Sequence, residues 1–264
     1  MMARWLFGMA GRRAGHYLDL VVYKAYADLK AEASRTYVNY LWWMIDPLLS
    51  LAIYYTVFAI FLQQGGDDFV FVLIVGLVFW RWYGEAIAHG AGTIVGNVGL
   101  MGQVDVPKWV FPVVCLITDT TKFACVFVVL MVVLWLGGMG WSAAVLALPL
   151  VMMVQLVLIA GAAMLVAACV PFLPDLRHVV TTLLMLQMFL SGVFFRPEAV
   201  FEGHREIFFL NPMARLINEY RVILIDGQWP SLHGLLYVAF LGVMLCMFSM
   251  WLLSRFDKTY PRLH

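Results

Sequence analysis

The stretch FVFVLIVGLVFWRWYGEAIAH, residues 69–89, is long and apolar enough to cross a bilayer as a helix, yet its second half carries Arg81, Glu85 and His89. At 1.5 Å of rise per residue, an apolar run of about 20 residues covers the roughly 30 Å of hydrocarbon in a membrane. The three ionisable groups recur at every fourth position, so on a helix they stand in one vertical ladder beside Trp80, Trp82 and Tyr83. Charges inside a span face a cavity or one another. The stretch therefore predicts a membrane helix with a polar seam. Either Arg81 and Glu85 satisfy each other inside the bundle while His89 reaches the headgroups, or the ladder lines a hydrated path or a seam between subunits. Arg before Glu is the weaker order for a pair four apart, so an intrahelical pair alone is an incomplete account.

The rest of the chain has the same character. Of its 264 residues 64% are hydrophobic and 12% charged, which is far from a soluble domain. A net charge of +1 offers no basic surface, so nucleic acid is excluded as a partner. Apolar runs at 40–62, 110–136, 143–170, 176–195 and 232–253 bring the expected spans to six. The polar links QQGGDD (63–68) and GGMG (137–140) predict hairpins between neighbouring spans. Arg4, Arg12, Arg13, Lys24, Lys30, Arg35, Lys108, Arg177, Arg255, Lys258 and Arg262 all fall on one side of such a six-span path. In the link between the fifth and sixth spans, Glu198, Glu202, Glu206, Glu219 and Asp226 balance the arginines. The positive-inside rule then places both termini in the cytoplasm.

Two segments are neither spans nor plain loops. In YLDLVVYKAYADLKAEASR (17–35), Leu18, Val22, Ala25 and Leu29 recur at helical spacing against Lys24, Asp28, Glu32 and Arg35, the pattern of an amphipathic helix lying in the membrane interface. The external link at about 196–231 contains two helix starts, Pro197 followed by Glu198, and Asn211 as cap with Pro212 after it. After the second, Met213, Leu216, Ile217, Tyr220 and Leu224 make an apolar stripe that Asp226 and Gly227 end. Short helices folded against the outer mouth are expected there.

In the first span Tyr40, Trp43, Pro47, Ser50, Tyr54, Phe58 and Phe61 advance by three or four residues and share a face. An interfacial aromatic belt is one reading. The other is a substrate channel, because aromatic faces stack on the apolar faces of sugar rings without a fixed register. On that reading Trp43, Tyr54, Phe58 and Phe61 line the path and Asp46 meets sugar hydroxyls, unless Asp46 only pairs with a cation such as Lys122. Gly92 and Gly96 stand at a spacing that permits close helix approach, or mark a flexible helix end.

The enzyme motifs are missing. No lysine follows a glycine-rich turn in the phosphate-cradling pattern, and no zinc pattern or G-x-S-x-G elbow occurs, so catalytic and metal residues are expected to be none. Cys115, Cys125, Cys169 and Cys246 lie in apolar runs without C-x-x-C spacing. WLFGMAG is too short for a signal-peptide core, and no internal repeat is evident.

Four stretches in order resemble the membrane subunits of type 2 ATP-binding-cassette (ABC) exporters, above all permeases for O-antigen, capsule and teichoic acid. They are ADLKAEASRTYVNYLWWMIDPLLSLAIYY (27–55), NVGLMGQVDVPKWVFP (97–112), SGVFF (191–195) and NPMARLINEYR (211–221). FLPDLRH (172–178) departs from the Arg-Asp pair common there, keeping Asp175 with Arg177 two residues on. The resemblance implies a homodimer with two copies of a separate ATPase that binds ATP and Mg, so this chain holds no cofactor. It implies an external gate, to which Phe194, Phe195, Arg196 and Phe201 are assigned. The ATPase contact is expected at the interfacial helix through Lys24, Asp28 and Glu32, and at the link through Gln103, Asp105, Pro107 and Lys108.

The sequence thus predicts an all-α integral membrane protein of the bacterial inner membrane. Residues 1–39 form a cytoplasmic segment with the interfacial helix, and 40–264 form a six-span domain with gate helices. The expected function is export of a lipid-linked polysaccharide, powered by the partner ATPase. Two alternatives stay open: an exporter of a drug or small lipid, and a membrane-embedded lipid-modifying enzyme using Glu85 and His89.

Overall fold

A computed structural model describes residues 2–34, 41–61, 68–101, 106–139 and 142–260, and the regular elements among them are all helical. In chain order they are α1 (Met2–Ala33), α2 (Trp42–Tyr55), which runs on as a π-helical stretch (Thr56–Phe61), α3 (Phe69–Gly90), α4 (Val98–Met101), α5 (Val110–Leu136), α6 (Leu148–Cys169), α7 (Leu176–Leu190), α8 (Arg205–Phe208), α9 (Pro212–Leu224) and α10 (Leu232–Phe256).

Four of the described helical stretches are long and apolar enough to cross a membrane: Phe69–Gly90, Val110–Leu136, Ala143–Cys169 and Leu232–Phe256. They coincide with four of the six expected runs. The run at 176–195 is helical only over the 15 residues of α7, because Gly192 (φ +68°) turns the chain out of the helix. The run at 40–62 is a 14-residue α-helix that widens into the π stretch. Thr56 Oγ1 donates back to the Ala52 carbonyl at 2.8 Å at that transition, and a widened turn of this kind shifts the side chains that follow to a new face.

α3 lies at the centre. Leu73, Val75 and Phe79 are fully buried, whereas α5, α6 and α10 each keep an outward apolar face, such as Val128, Met153 and Phe240. α6 and α10 pack closely because glycines meet backbone. A Cβ on Gly161 would fall 2.8 Å from the Cys246 nitrogen, and one on Gly242 would fall 2.9 Å from the Leu158 nitrogen. Ser249 Oγ donates to the Gly161 carbonyl at 2.9 Å within the same contact. The residue pairing rises together along both helices, so α6 and α10 run parallel. α5 is antiparallel to α3, with His89 beside Asp119 and Phe79 beside Phe127. α7 covers the height of α3: its first turn brings Arg177 beside Gly92, and the loop after it brings Val193 against Gly76.

Close helix approach, one of the two readings of Gly92 and Gly96, occurs elsewhere. Gly96 has nothing within 4 Å of its Cβ position, while the close contacts involve Gly76, Gly90, Gly161 and Gly242. α1 is one helix from Met2 to Ala33. Its buried side is Val21 and Ala25 against Val106, Val110 and Val114, which leaves Val22, Tyr23 and Tyr26 exposed. α9 starts as expected, with Asn211 Oδ1 accepting from the Met213 nitrogen at 3.0 Å and Pro212 in the first turn.

Candidate functional site

The ladder divides into two ion clusters, each tied to different neighbours. Arg81 Nε donates to Glu85 Oε1 at 2.6 Å, its Nη1 to Ser50 Oγ at 3.4 Å, and its Nη2 to Asp46. One guanidinium therefore joins α3 to α2 through Asp46 and Ser50 while Glu85 holds it from its own helix. One turn further along, His89 Nδ1 lies 3.0 Å from Asp119 Oδ2 on α5, and a carboxylate acceptor places the proton on that nitrogen. Asp119 is 5% exposed and also meets Lys122 Nζ at 3.4 Å and Cys115 Sγ at 3.5 Å. Lys122 continues to Glu32 of α1 at 2.6 Å, and its ammonium lies 5.9 Å from the Trp43 ring centre. The second cluster thus links α3, α5 and α1. Asp46 pairs with Arg81, and Lys122 with Glu32 and Asp119.

These clusters border a line of cavities. The largest, about 460 Å³, lies among α2, α3, α5 and α7, with Ser50, Tyr54, Trp80, Arg81, Thr181 and Met188 in its wall. Asp46, Arg81 and Glu85 also line a second of about 230 Å³, together with Trp42, Trp43 and His89. Glu32, His89, Asp119 and Lys122 are shared between the second and one of about 260 Å³ that reaches Lys24 and Asp28 on α1. The lining is mixed, apolar toward Leu184 and Met188 and charged toward α1. Such a wall can hold water and a hydroxylated chain at its charged end and an apolar group at the other.

The aromatics proposed for the channel separate. Trp43 borders the charged cavities and Tyr54 the large one. Tyr54 and Phe58 pack on Phe194, with ring centres 4.9 and 5.0 Å away, and Phe61 lies 75% exposed past the widened turn. Among the gate residues Phe194 is buried, Phe195 meets Phe208 at 5.9 Å, Arg196 pairs with Asp226 at 3.1 Å, and Phe201 is exposed beside His204. Lys24 pairs with Asp28 at 3.1 Å. Lys108, next to Pro107, is buried; its backbone nitrogen donates to Asp257 at 3.0 Å, and its ammonium lies 3.7 Å from the same carboxylate, fastening the link to the end of α10. Tyr40, Gln103 and Asp105 lie outside the described residues.

Two residues that organise this region escape a linear reading. Asp119 had a signal, an acid amid an apolar run three residues before Lys122. Arg221 was counted among the loop charges, but position 221 falls on the apolar face of α9, four after Ile217. It is 2% exposed and donates five hydrogen bonds, to the carbonyls of Val72 (twice), Gly192, Val193 and Phe195, at 2.7 to 3.2 Å. A guanidinium has five N–H donors, so all are used, and the Gly192–Phe195 loop is pinned to the start of α3. Gly76 leaves the room: a Cβ there would stand 2.7 Å from the Val193 oxygen. Among the described residues, no group of three or more His, Cys, Asp or Glu side chains is placed to hold a metal ion.

Residues 108–225 match a family model described as ABC-2 type transporter. The chain is similar to the O-antigen export system permease protein RfbA of Myxococcus xanthus, 27% identical over 237 residues that cover 89% of this chain and 91% of the relative. The protein of the same name from Klebsiella pneumoniae is 26% identical over 92% of this chain and 93% of its own length. The polysialic acid transport protein KpsM of Escherichia coli is 20% identical over 80% and 83%.

Proposed function

We propose that this chain is the membrane-spanning permease of an ABC exporter that carries a lipid-linked polysaccharide of the O-antigen or capsule type out across the bacterial inner membrane. The observation that carries the reading is the similarity to O-antigen export permeases along nine-tenths of the chain. The line of cavities fits it: an apolar compartment beside α7 suits a lipid tail, and the charged, tryptophan-bordered compartments suit sugars and water. ATP and Mg belong to a separate ATPase, of which two copies serve two copies of this chain. The cavity is then a half-channel that a second subunit closes. Exposed apolar rows on α2 (Leu48, Leu49, Ile53) and α7 (Leu183, Leu186, Leu190) support that closure.

Six spans are part of the proposal. α6 and α10 run parallel, so the chain has to return between them, and α7, which covers the height of α3, is the element available. α2 does the same before α3, from the level of Trp43 and Lys122 to that of Tyr54 and Phe194. With most Lys and Arg on one side, and the arginines of the link after α7 balanced by acidic residues, both termini are cytoplasmic and α8 and α9 are external gate helices. The lipid-modifying alternative has less support, since Glu85 is paired with Arg81 and the relatives are export permeases.

The test is deletion of the chromosomal copy in the source cells. Surface polysaccharide should disappear and lipid-linked polymer accumulate inside, with rescue by this chain only when its ATPase is active. Normal surface polysaccharide in the deletion strain would overturn the reading.

A further inference from the structure

On the outer rim, between α9 and the start of α10, lies a pocket of about 330 Å³ that the transport path does not use. Its wall includes Phe209, Arg215, Asn218, Glu219, Trp229 and Ser231. Trp229 follows the turn at Gly227 (φ +66°) and stands 64% exposed, a flat apolar surface with one face open. The polar side is rigidly built. Arg215 Nε donates to the Phe209 carbonyl at 2.6 Å, and the guanidinium sits 5.5 Å from the Phe209 ring and 5.2 Å from the Tyr237 ring. Glu219, 5% exposed, accepts from the Ser231 backbone nitrogen at 2.8 Å and from its hydroxyl. The two terminal nitrogens of Arg215 and the side-chain amide of Asn218 have no hydrogen-bond partner among the described residues.

An open indole face, a fixed guanidinium fork and an uncommitted amide complement a pyranose ring. The ring's C–H face stacks on the aromatic, and its hydroxyls take the planar polar groups. The charge of Arg215 is balanced by Glu219 in the same wall, which favours a hydroxylated neutral ligand over a phosphate headgroup. The volume lies at the small end of ligand pockets, matching one or two sugar rings. We infer that this pocket is a carbohydrate subsite that holds a pyranose unit of the polysaccharide at the outer face of the permease. The choice of ligand rests on the export reading above.

The test uses the full chain with its ATPase in phospholipid nanodiscs. The probe is an oligosaccharide fragment released by mild acid from the surface polysaccharide of the source cells, with binding read by saturation-transfer NMR. The wild type should bind saturably. Trp229→Ala and Asn218→Ala should each weaken binding by about tenfold, as for truncation of a central anchor, while Gln228→Ala, outside the pocket, should bind as the parent does. Both side chains are at least partly exposed, so the variants should elute and melt normally. Unchanged affinity in both variants overturns the subsite. So does absence of fragment binding, or loss of binding when anionic lipid replaces zwitterionic lipid, which would mean that a headgroup fills the pocket. Surface export is scored on the same cells: export without fragment binding removes only the subsite, and Trp229-dependent binding without export removes only the transport reading.

Discussion

Replacing Arg221 should loosen the loop after α7 before anything else. Its guanidinium makes five hydrogen bonds to four carbonyls at 2% exposure. Lysine offers three donors from one nitrogen, so Arg221→Lys gives up at least two of the five. At about 1.5 to 3 kcal/mol for each bond to a charged donor, the loss is about 3 kcal/mol at its lower bound. Arg221→Met fills similar volume but leaves the carbonyls of Val72, Gly192, Val193 and Phe195 without this donor, and should cost about 4 kcal/mol or more. For a chain of this size each kcal/mol moves the melting midpoint by about 2 to 4 °C, so the lysine variant should melt about 6 to 12 °C lower. The assay is thermal denaturation in detergent followed by tryptophan fluorescence. Limited proteolysis should show residues 196–204 cut faster, because the loop they follow is no longer tied to α3. If both variants melt with the parent and resist protease equally, the carbonyl bonds do not hold the loop.

Four further outcomes follow from the same contacts. Gly161→Ala should destabilise by about 1 to 3 kcal/mol, because its Cβ would press on Leu245 and the Cys246 backbone; Gly96→Ala, with open space around it, should be neutral or slightly stabilising, and equal melting of the two would refute the packing argument. Asp119→Ala should cost more than Glu32→Ala, since Asp119 is buried and serves His89, Lys122 and Cys115, whereas Glu32 is about half exposed; the comparison is made by denaturation, and the reverse order would sink it. Phe58→Ala removes a ring stacked on Phe194 and should lower polymer export more than ATPase turnover; a parental export rate would make that stack mere packing. On a background lacking the four cysteines, cysteine at Glu202 or Gln228 should be labelled from outside and cysteine at Ser34 or Lys258 should not; the opposite pattern would invert the topology.

The sequence by itself determined the membrane class, because insertion depends on length and apolarity, which are properties of a linear run. Residues 69–89, 110–136, 143–170 and 232–253 could be read without neighbours, and so could the cap of α9, where Asn211 and Pro212 act within one turn. The family resemblance was legible for a similar reason, as short motifs in order. Partners across helices were not. Periodicity places Arg81, Glu85 and His89 on one face but does not say that Asp46 and Asp119, 35 and 30 residues away, complete them. Nor does it say that α1 buries Val21 rather than Val22, since adjacent positions differ by only about 100° on a helix and the choice belongs to α5. Arg221 shows the limit most clearly. A charge in a polar link reads as solvated, and only folding brings together four carbonyls, from the start of α3 and the glycine turn after α7, that can replace water around it.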